Sequence, residues 1–288
     1  MSSSAADALE QGRAYVDLSS WWKVSVRGRE AGGWLNDLLS AELGGLGPGE
    51  ARRSLLLTPT GRIRSLIAVT SFEDGFLLIQ DPIQPARIDE LLAPYVLSSD
   101  VLLADRTEQL GLLAFPGGVP RELDEAAASS PSVLGSGADL VIPSETSTGD
   151  SVGGLLEAGL QDVEAWRIRR GVARFGIDLT PDSLPHEAEV GDMIAYGKGC
   201  FLGQEAVAKV RNLGHPPFVL LAGDTAKPVS AGETVVADEQ EAGTVTSAVP
   251  GDAGGSAVIA RVRWGLKDAS LRVASGGPLT PRGLASAA

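Results

Sequence analysis

The feature that most constrains this chain is a change of character at His215-Pro216-Pro217. Beyond it, short apolar runs at 218–222, 234–237, 243–248, 256–262 and 270–273 are divided by glycines and polar turn residues. Runs of that length with turn signals between them predict a small closed or nearly closed β-barrel. A proline pair resists both helix and central strand, so it predicts a hinge between residues 1–214 and 215–288.

Before the hinge the periodicity is mixed. Residues 21–27 alternate apolar and polar like a half-buried strand, and 29–43 then place Trp34, Leu35, Leu38 and Leu39 at helical spacing. Three β-like runs, 54–57, 63–71 and 76–79, are separated by Pro59-Thr60-Gly61 and Glu73-Asp74-Gly75, which predicts an antiparallel meander. A second helix is expected over 82–96 with Pro82 in its first turn, and strands over 101–104 and 110–115. Residues 116–154 turn rich in Gly, Ser, Ala and Pro and read as loop, anchored by Val133-Leu134 and Leu140-Val141-Ile142. A further helix over 162–171 runs through Val163, Trp166 and Ile168 to Gly171, a residue suited to a left-handed C-terminal cap. The Ser/Ala-rich residues 1–11 read as a frayed tail. The fold class is α+β, helices packed on antiparallel sheet, and 288 residues suit two or three subdomains.

Composition closes off several functions. With 43% hydrophobic and 21% charged residues, the mix is that of a globular protein. No apolar run approaches the ~20 residues that span a bilayer, and residues 1–11 lack the basic start and apolar block of a secretory signal. A cytoplasmic location without membrane contact is expected. One cysteine and two histidines exclude an intrachain disulfide and a self-contained zinc or iron–sulfur site. A net charge of -13 argues against direct nucleic-acid binding. Arg167, Arg169, Arg170 and Arg174 nevertheless cluster with no acid among them. That cluster reads either as a subsite for a small anion or as a solvated helix face. Neither a phosphate-binding Gly-x-x-x-x-Gly-Lys loop, nor a helix-opening Gly-x-Gly-x-x-Gly, nor a Gly-x-Ser-x-Gly elbow is present.

The chemistry concentrates at Lys198-Gly199-Cys200-Phe201-Leu202-Gly203-Gln204-Glu205. Helix formers from Gln204 to Asn212, closing at Gly214, place Cys200 just ahead of a helix N-terminus. The helix dipole and Lys198 there favour a thiolate, which makes a reactive or ligand-donating sulfur the functional reading and a small buried hydrophobe the bland one.

Those eight residues resemble the signature of YgfZ-type proteins, a branch of the folate-binding aminomethyltransferase superfamily. Arg174-Phe175-Gly176-Ile177-Asp178, Leu184-Pro185-His186-Glu187-Ala188 and Val207-Ala208-Lys209-Val210-Arg211-Asn212-Leu213-Gly214 are similar to the segments that flank it, particularly in actinobacterial members. Leu57-Thr58-Pro59-Thr60-Gly61-Arg62-Ile63 resembles the family's hairpin turn, and Leu35-Asn36-Asp37 its first helix. The resemblance implies subdomains around a central channel, like the T-protein of the glycine cleavage system, and a C-terminal barrel. It implies tetrahydrofolate or another folate as ligand, its glutamate carboxylates received by the arginine cluster. It assigns Asn36, Arg169, Glu187, Tyr196, Lys198 and Gln204 to folate and makes Cys200 and Lys198 the reactive pair.

Two positions depart from the family pattern. Aminomethyltransferases carry a carboxylate after the hairpin, where this chain has Ser65 and Leu66. Their Arg-Leu-Glu-Ala-Gly reads Arg167-Ile168-Arg169-Arg170-Gly171 here, inverting the charge at the third position. The leading expectation is therefore a folate-binding protein that supports iron–sulfur enzymes or their assembly and, through them, tRNA modification. The alternatives are a tetrahydrofolate-dependent aminomethyl or methyl transferase or demethylase, with Glu187 or Glu205 standing in for the missing acid, and an interaction module whose channel is vestigial.

Overall fold

The expected elements form, with a few additions that local pattern does not announce. The computed structural model describes residues 4–72, 74–97, 99–119, 128–146, 152–188, 190–251 and 254–284. The chain runs α1 (Ala5–Glu10), β1 (Ala14–Asp17), β2 (Trp22–Arg27), α2 (Ala31–Leu38), β3 (Ala51–Leu57), β4 (Ile63–Phe72) and β5 (Gly75–Gln80). It continues through α3 (Ile88–Val96), β6 (Leu102–Asp105), β7 (Leu110–Phe115), β8 (Ala128–Ser129), β9 (Ala138–Pro143), β10 (Leu156–Ala158), α4 (Leu160–Arg170) and α5 (Gln204–Leu213). The last part holds β11 (Phe218–Thr225), β12 (Thr234–Ala237), β13 (Gln240–Pro250), β14 (Ser256–Arg263), β15 (Leu271–Val273) and β16 (Gly277–Arg282).

The first sheet has the order β3-β4-β5-β2-β6 with antiparallel neighbours throughout. Alternation along its strands sends Val24, Val26, Ile67, Val69 and Leu78 to one face, where they meet Leu35 and Leu38 of α2 and Ile88 and Leu92 of α3. The second sheet has the order β10-β1-β7-β9-β8, with β1 and β10 parallel. Val16, Leu112 and Ala114 pack there with Leu9 of α1 and Val163 and Trp166 of α4. The third unit is a closed barrel, β11-β14-β13-β12-β15-β16, with Val235, Val245, Val258, Val262 and Val273 inside. A fourth cluster joins the three: Leu55, Leu57 and Ile63 of the first sheet, Ile168 of α4, Phe201 and Val207 of the signature region, and Leu220 and Ile259 of the barrel. The α+β class with a C-terminal β-barrel is thus the fold.

A polar tie reinforces that junction. Asp178, fully buried, accepts hydrogen bonds from Arg167 Nη1 (2.8 Å), the Arg174 amide (2.9 Å), Thr246 Oγ1 (2.6 Å) and Ser247 Oγ (2.7 Å). Thr246 and Ser247 belong to β13, so one carboxylate links α4 to the barrel.

Four expectations need correction. From Ser4 onward the N-terminal tail is not frayed: Ser4 and Asp7 form a capping box for α1, whose Leu9 is fully buried. Glu10 at its end receives Trp166 Nε1 at 2.8 Å and Arg170 Nη1 at 2.6 Å. The helix expected over 82–96 begins only at Ile88, because Asp81 Oδ1 caps the Ile83 amide and the Gln84 side chain turns inward to bond the Leu66 amide and carbonyl. The expected loop region contains β8, β9 and β10, which form edges of the second sheet; its residues 120–127 and 147–151, including Arg121, lie outside the described residues. The barrel needs β16, hidden in the sequence by Pro278 and Pro281, to close against β11 and β15. Among the described residues no helix is long and apolar enough to cross a membrane.

Candidate functional site

A central cavity of ≈ 80 Å³ opens where the two sheets and α4 meet. Trp21, Trp166 and Phe175 give it aromatic walls, and Leu18, Leu66, Val133 and Leu134 aliphatic ones. Its polar lining comes from Arg53, Asp81, Gln84, Glu164, Arg167 and Arg174. Apolar walls with a few convergent polar groups are the usual form of a small-molecule site.

Two carboxylates face this cavity, and both are tied down. Arg174 Nε and Nη2 grip Asp81 at 2.5 and 3.0 Å, while Arg174 Nη1 reaches Glu164 Oε1 at 2.5 Å. Arg167 binds Glu164 from the neighbouring turn of α4 at 2.7 Å. Burial pushes Glu164 up, but Arg167 and Arg174 outweigh it and hold the carboxyl below its ordinary range. Where the family resemblance leads one to look for an acid, Ser65 is fully buried behind the sheet, donating to Gln84 Oε1 at 3.0 Å, and Leu66 presents hydrocarbon to the cavity.

The arginine cluster is therefore not a vacant anion subsite. Arg167 is committed to Glu164 and Asp178, Arg170 to Glu10, and Arg174 to Asp81 and Glu164. Arg169 lies 3.5 Å from Asp7 of α1 and donates to the Pro250 carbonyl, away from the cavity lining. Glu164 and Asp178 flank the cluster in sequence, and Asp7, Glu10 and Asp81 reach it from distant segments.

The signature residues build a different structure. Lys198 Nζ donates to the carbonyls of Asn36 (2.6 Å), Leu39 (2.5 Å) and Ala41 (2.7 Å), filling the C-terminal end of α2. Asn36 Oδ1 accepts from the Leu43 amide at 3.0 Å, locking the same turn. Burial pushes the Lys198 ammonium down to about 8, with Glu42 and Asp37 pulling the other way. The expected pairing of Lys198 with Cys200 is replaced by this knot, because three carbonyls saturate the ammonium's three donors. Lys198→Met is expected to destabilise the protein by about 2 kcal/mol through lost charged hydrogen bonds, read by urea denaturation, with the alkylation rate of Cys200 unchanged. A stable variant with a slowed thiol would restore the pairing.

Cys200 is an exposed free thiol. The helix after it, α5, starts at Gln204 behind Gly203, whose φ of 83° needs glycine and whose added Cβ would lie 2.5 Å from the Thr58 carbonyl. The signature and the 58–61 hairpin turn are thus packed against each other. Glu187 is an interior strut: its Oε2 accepts from Arg261 Nε of β14 at 3.0 Å and its Oε1 from the Leu184 amide at 3.2 Å. The Tyr196 hydroxyl sits 3.3 Å from His186 Nε2 with Arg211 stacked 4.0 Å from its ring, in a separate groove that also holds His215 and Trp264. None of Asn36, Arg169, Glu187, Tyr196, Lys198, Cys200 and Gln204 lines the central cavity. The residues that do, above all Arg53, Asp81, Glu164 and the two tryptophans, carry no local signal, since they come from four separate stretches of chain.

No protein-family model matches the chain. A chloroplast protein of Arabidopsis thaliana named for a transferase activity is 25% identical over 280 residues, covering 87% of this chain and 65% of that relative. The aminomethyltransferase of Streptomyces coelicolor is 24% identical over 273 residues, covering 81% of this chain and 73% of the relative. In structure, the chain matches the glycine cleavage system aminomethyltransferase T of Bartonella henselae with a TM-score of 0.80 at 20% identity, over 99% of this chain and 89% of that one. The structural match shows that the chain has the T-protein fold. The match spans 65% of the length of the Arabidopsis relative.

Proposed function

We propose that this protein binds a folate in the central cavity without transferring a one-carbon group from it, and that it supports iron–sulfur enzymes or their assembly, as a YgfZ-type member of the T-protein superfamily. The observation that carries the reading is the state of the cavity's carboxylates: Asp81 and Glu164 are both clamped by Arg174, and Leu66 stands beside them where an acid would serve. A general base needs a free lone pair within reach of the proton it takes. A flat heterobicycle suits walls made by Trp21, Trp166 and Phe175. Cys200, exposed on the surface, is placed to meet a partner rather than a ligand inside the cavity. One thiolate supplies one cluster ligand, so the partner supplies the others, and any effect on tRNA modification passes through iron–sulfur enzymes.

The test is an anaerobic titration with tetrahydrofolate, followed by the fluorescence of Trp21 and Trp166. Saturable quenching, retained in Cys200→Ala and unaccompanied by turnover of methylamine-type donors, is expected; the stability of that variant should stay within about 0.5 kcal/mol of wild type. The second reading, tetrahydrofolate-dependent transfer, draws on the names of the relatives and on the two cavity carboxylates. Formation of a one-carbon folate by the purified protein would establish it and sink the first. Absence of folate binding would sink both and leave an interaction module.

A further inference from the structure

Among the described residues the cavity lining holds one cation, Arg53, that no acid of the chain neutralises. Arg53 rises from β3 into the cavity lining and is only 8% exposed. Its Nε is buried without a hydrogen-bond partner, and among the described residues no acid lies within ion-pair distance of its guanidinium. The other two arginines of the lining, Arg167 and Arg174, are each held by two carboxylates. The acids nearest in influence, Asp192 and Asp139, act on Arg53 only through space. Asp139 is itself committed, accepting from Ser132 Oγ at 2.5 Å and the Val133 amide at 2.7 Å. Burial pushes Arg53 down to about 10, which leaves it a cation at neutral pH.

The chain around Arg53 is shaped to hold it there. Gly135, at a φ of 99°, lies against the guanidinium so closely that an added Cβ would stand 2.7 Å from Nη1. Val133 and Leu134 of the same loop line the cavity with Arg53, as do Leu66 and Phe175. A buried cation without a partner is destabilising, and its retention calls for a compensating group that is not part of the chain. A guanidinium offers a planar fork of donors, and the group that satisfies it with two parallel hydrogen bonds is a carboxylate or an equally planar anionic edge.

We infer that the central cavity contains an anion subsite built on Arg53, and that its ligand is a planar, largely apolar body carrying a carboxylate, or the ionised edge of a ring, toward that residue. The inference rests on reading the central cavity as the ligand site and is independent of whether the ligand is a folate. It moves the anionic contact from the arginines of α4, which are saturated, to a residue of β3.

Benzoate and benzamide have nearly the same shape and differ in charge. Calorimetric titration of the full chain is expected to show benzoate binding about tenfold or more tightly than benzamide, and Arg53→Met to abolish that preference. Equal affinities in the wild type, no benzoate binding, or a preference that survives in Arg53→Met overturns the subsite. The same variant carries a second reading: removal of an unpaired buried charge should raise the thermal midpoint, whereas a fall would show that Arg53 is a structural residue and overturn the proposal. Tetrahydrofolate titrated into wild type separates the two readings. Folate binding without a benzoate preference leaves the folate site standing and removes the subsite, and a benzoate preference without folate binding does the reverse.

Discussion

Asp178→Ala is expected to destabilise the protein by about 3–5 kcal/mol, the range for removing one partner of a buried ion pair. Asp178 is fully buried, and its partner Arg167 has only 5% of its side chain exposed, so solvent cannot replace the lost carboxylate. Arg167 would keep Glu164, but the bonds given to Asp178 by the Arg174 amide, Thr246 and Ser247 would all be lost. Because those partners come from α4, the segment after it and β13, the variant should also loosen the barrel from the rest of the chain. Urea denaturation gives the magnitude. The double variant Arg167→Met, Asp178→Ala is expected to recover part of the loss, since it removes both charges together. A single-variant effect below about 1 kcal/mol would show that the tie contributes only a surface-like interaction.

Stability is also expected to fall as the pH rises from about 4 to about 7, by an amount on the order of 4 kcal/mol attributable to Asp139 alone. This residue is 1% exposed on β9, and burial pushes its carboxyl up to about 7, against hydrogen bonds from Ser132 and Val133 and the charge of Arg53. In the unfolded chain the same group titrates near 3.8. Between the two values the folded protein still holds a proton that the unfolded chain has released, so each rise in pH favours unfolding. Below the lower value both states are protonated and the penalty vanishes; above the upper one both are ionised and it is complete. Carboxyls held low in the folded state, such as Asp105 at about 2, act in the opposite sense at acid pH. Comparing wild type with Asp139→Asn at about pH 4.5 and about pH 8 cancels them. The variant should lack the downward slope, and equal slopes in the two proteins would remove Asp139 as its source.

What the sequence by itself determined is what short-range physics writes. Glycine-bounded runs after Pro217 specify strands that roll into a barrel, and the helical spacing of Val163, Trp166 and Ile168 with Gly171 behind them specifies α4 and its left-handed cap. Cys200 was legible as the residue ahead of α5 for the same reason. Three kinds of fact were decided only in three dimensions. The first is pairing: Arg174 finds Asp81 93 residues away, and Lys198 finds Asn36 162 residues away, so an arginine cluster that looks vacant is saturated and a lysine that looks catalytic is a helix cap. The second is marginal elements: α1 is held by Leu9, Glu10 and α4, and β16 by its neighbours β11 and β15, neither by propensity. The third is the cavity, whose tryptophans, paired acids and unpaired Arg53 come from separate strands and helices. Periodicity and turn chemistry act over a few residues and survive in the linear sequence. Desolvation and charge balance depend on which distant side chains meet, and only the packed chain fixes that.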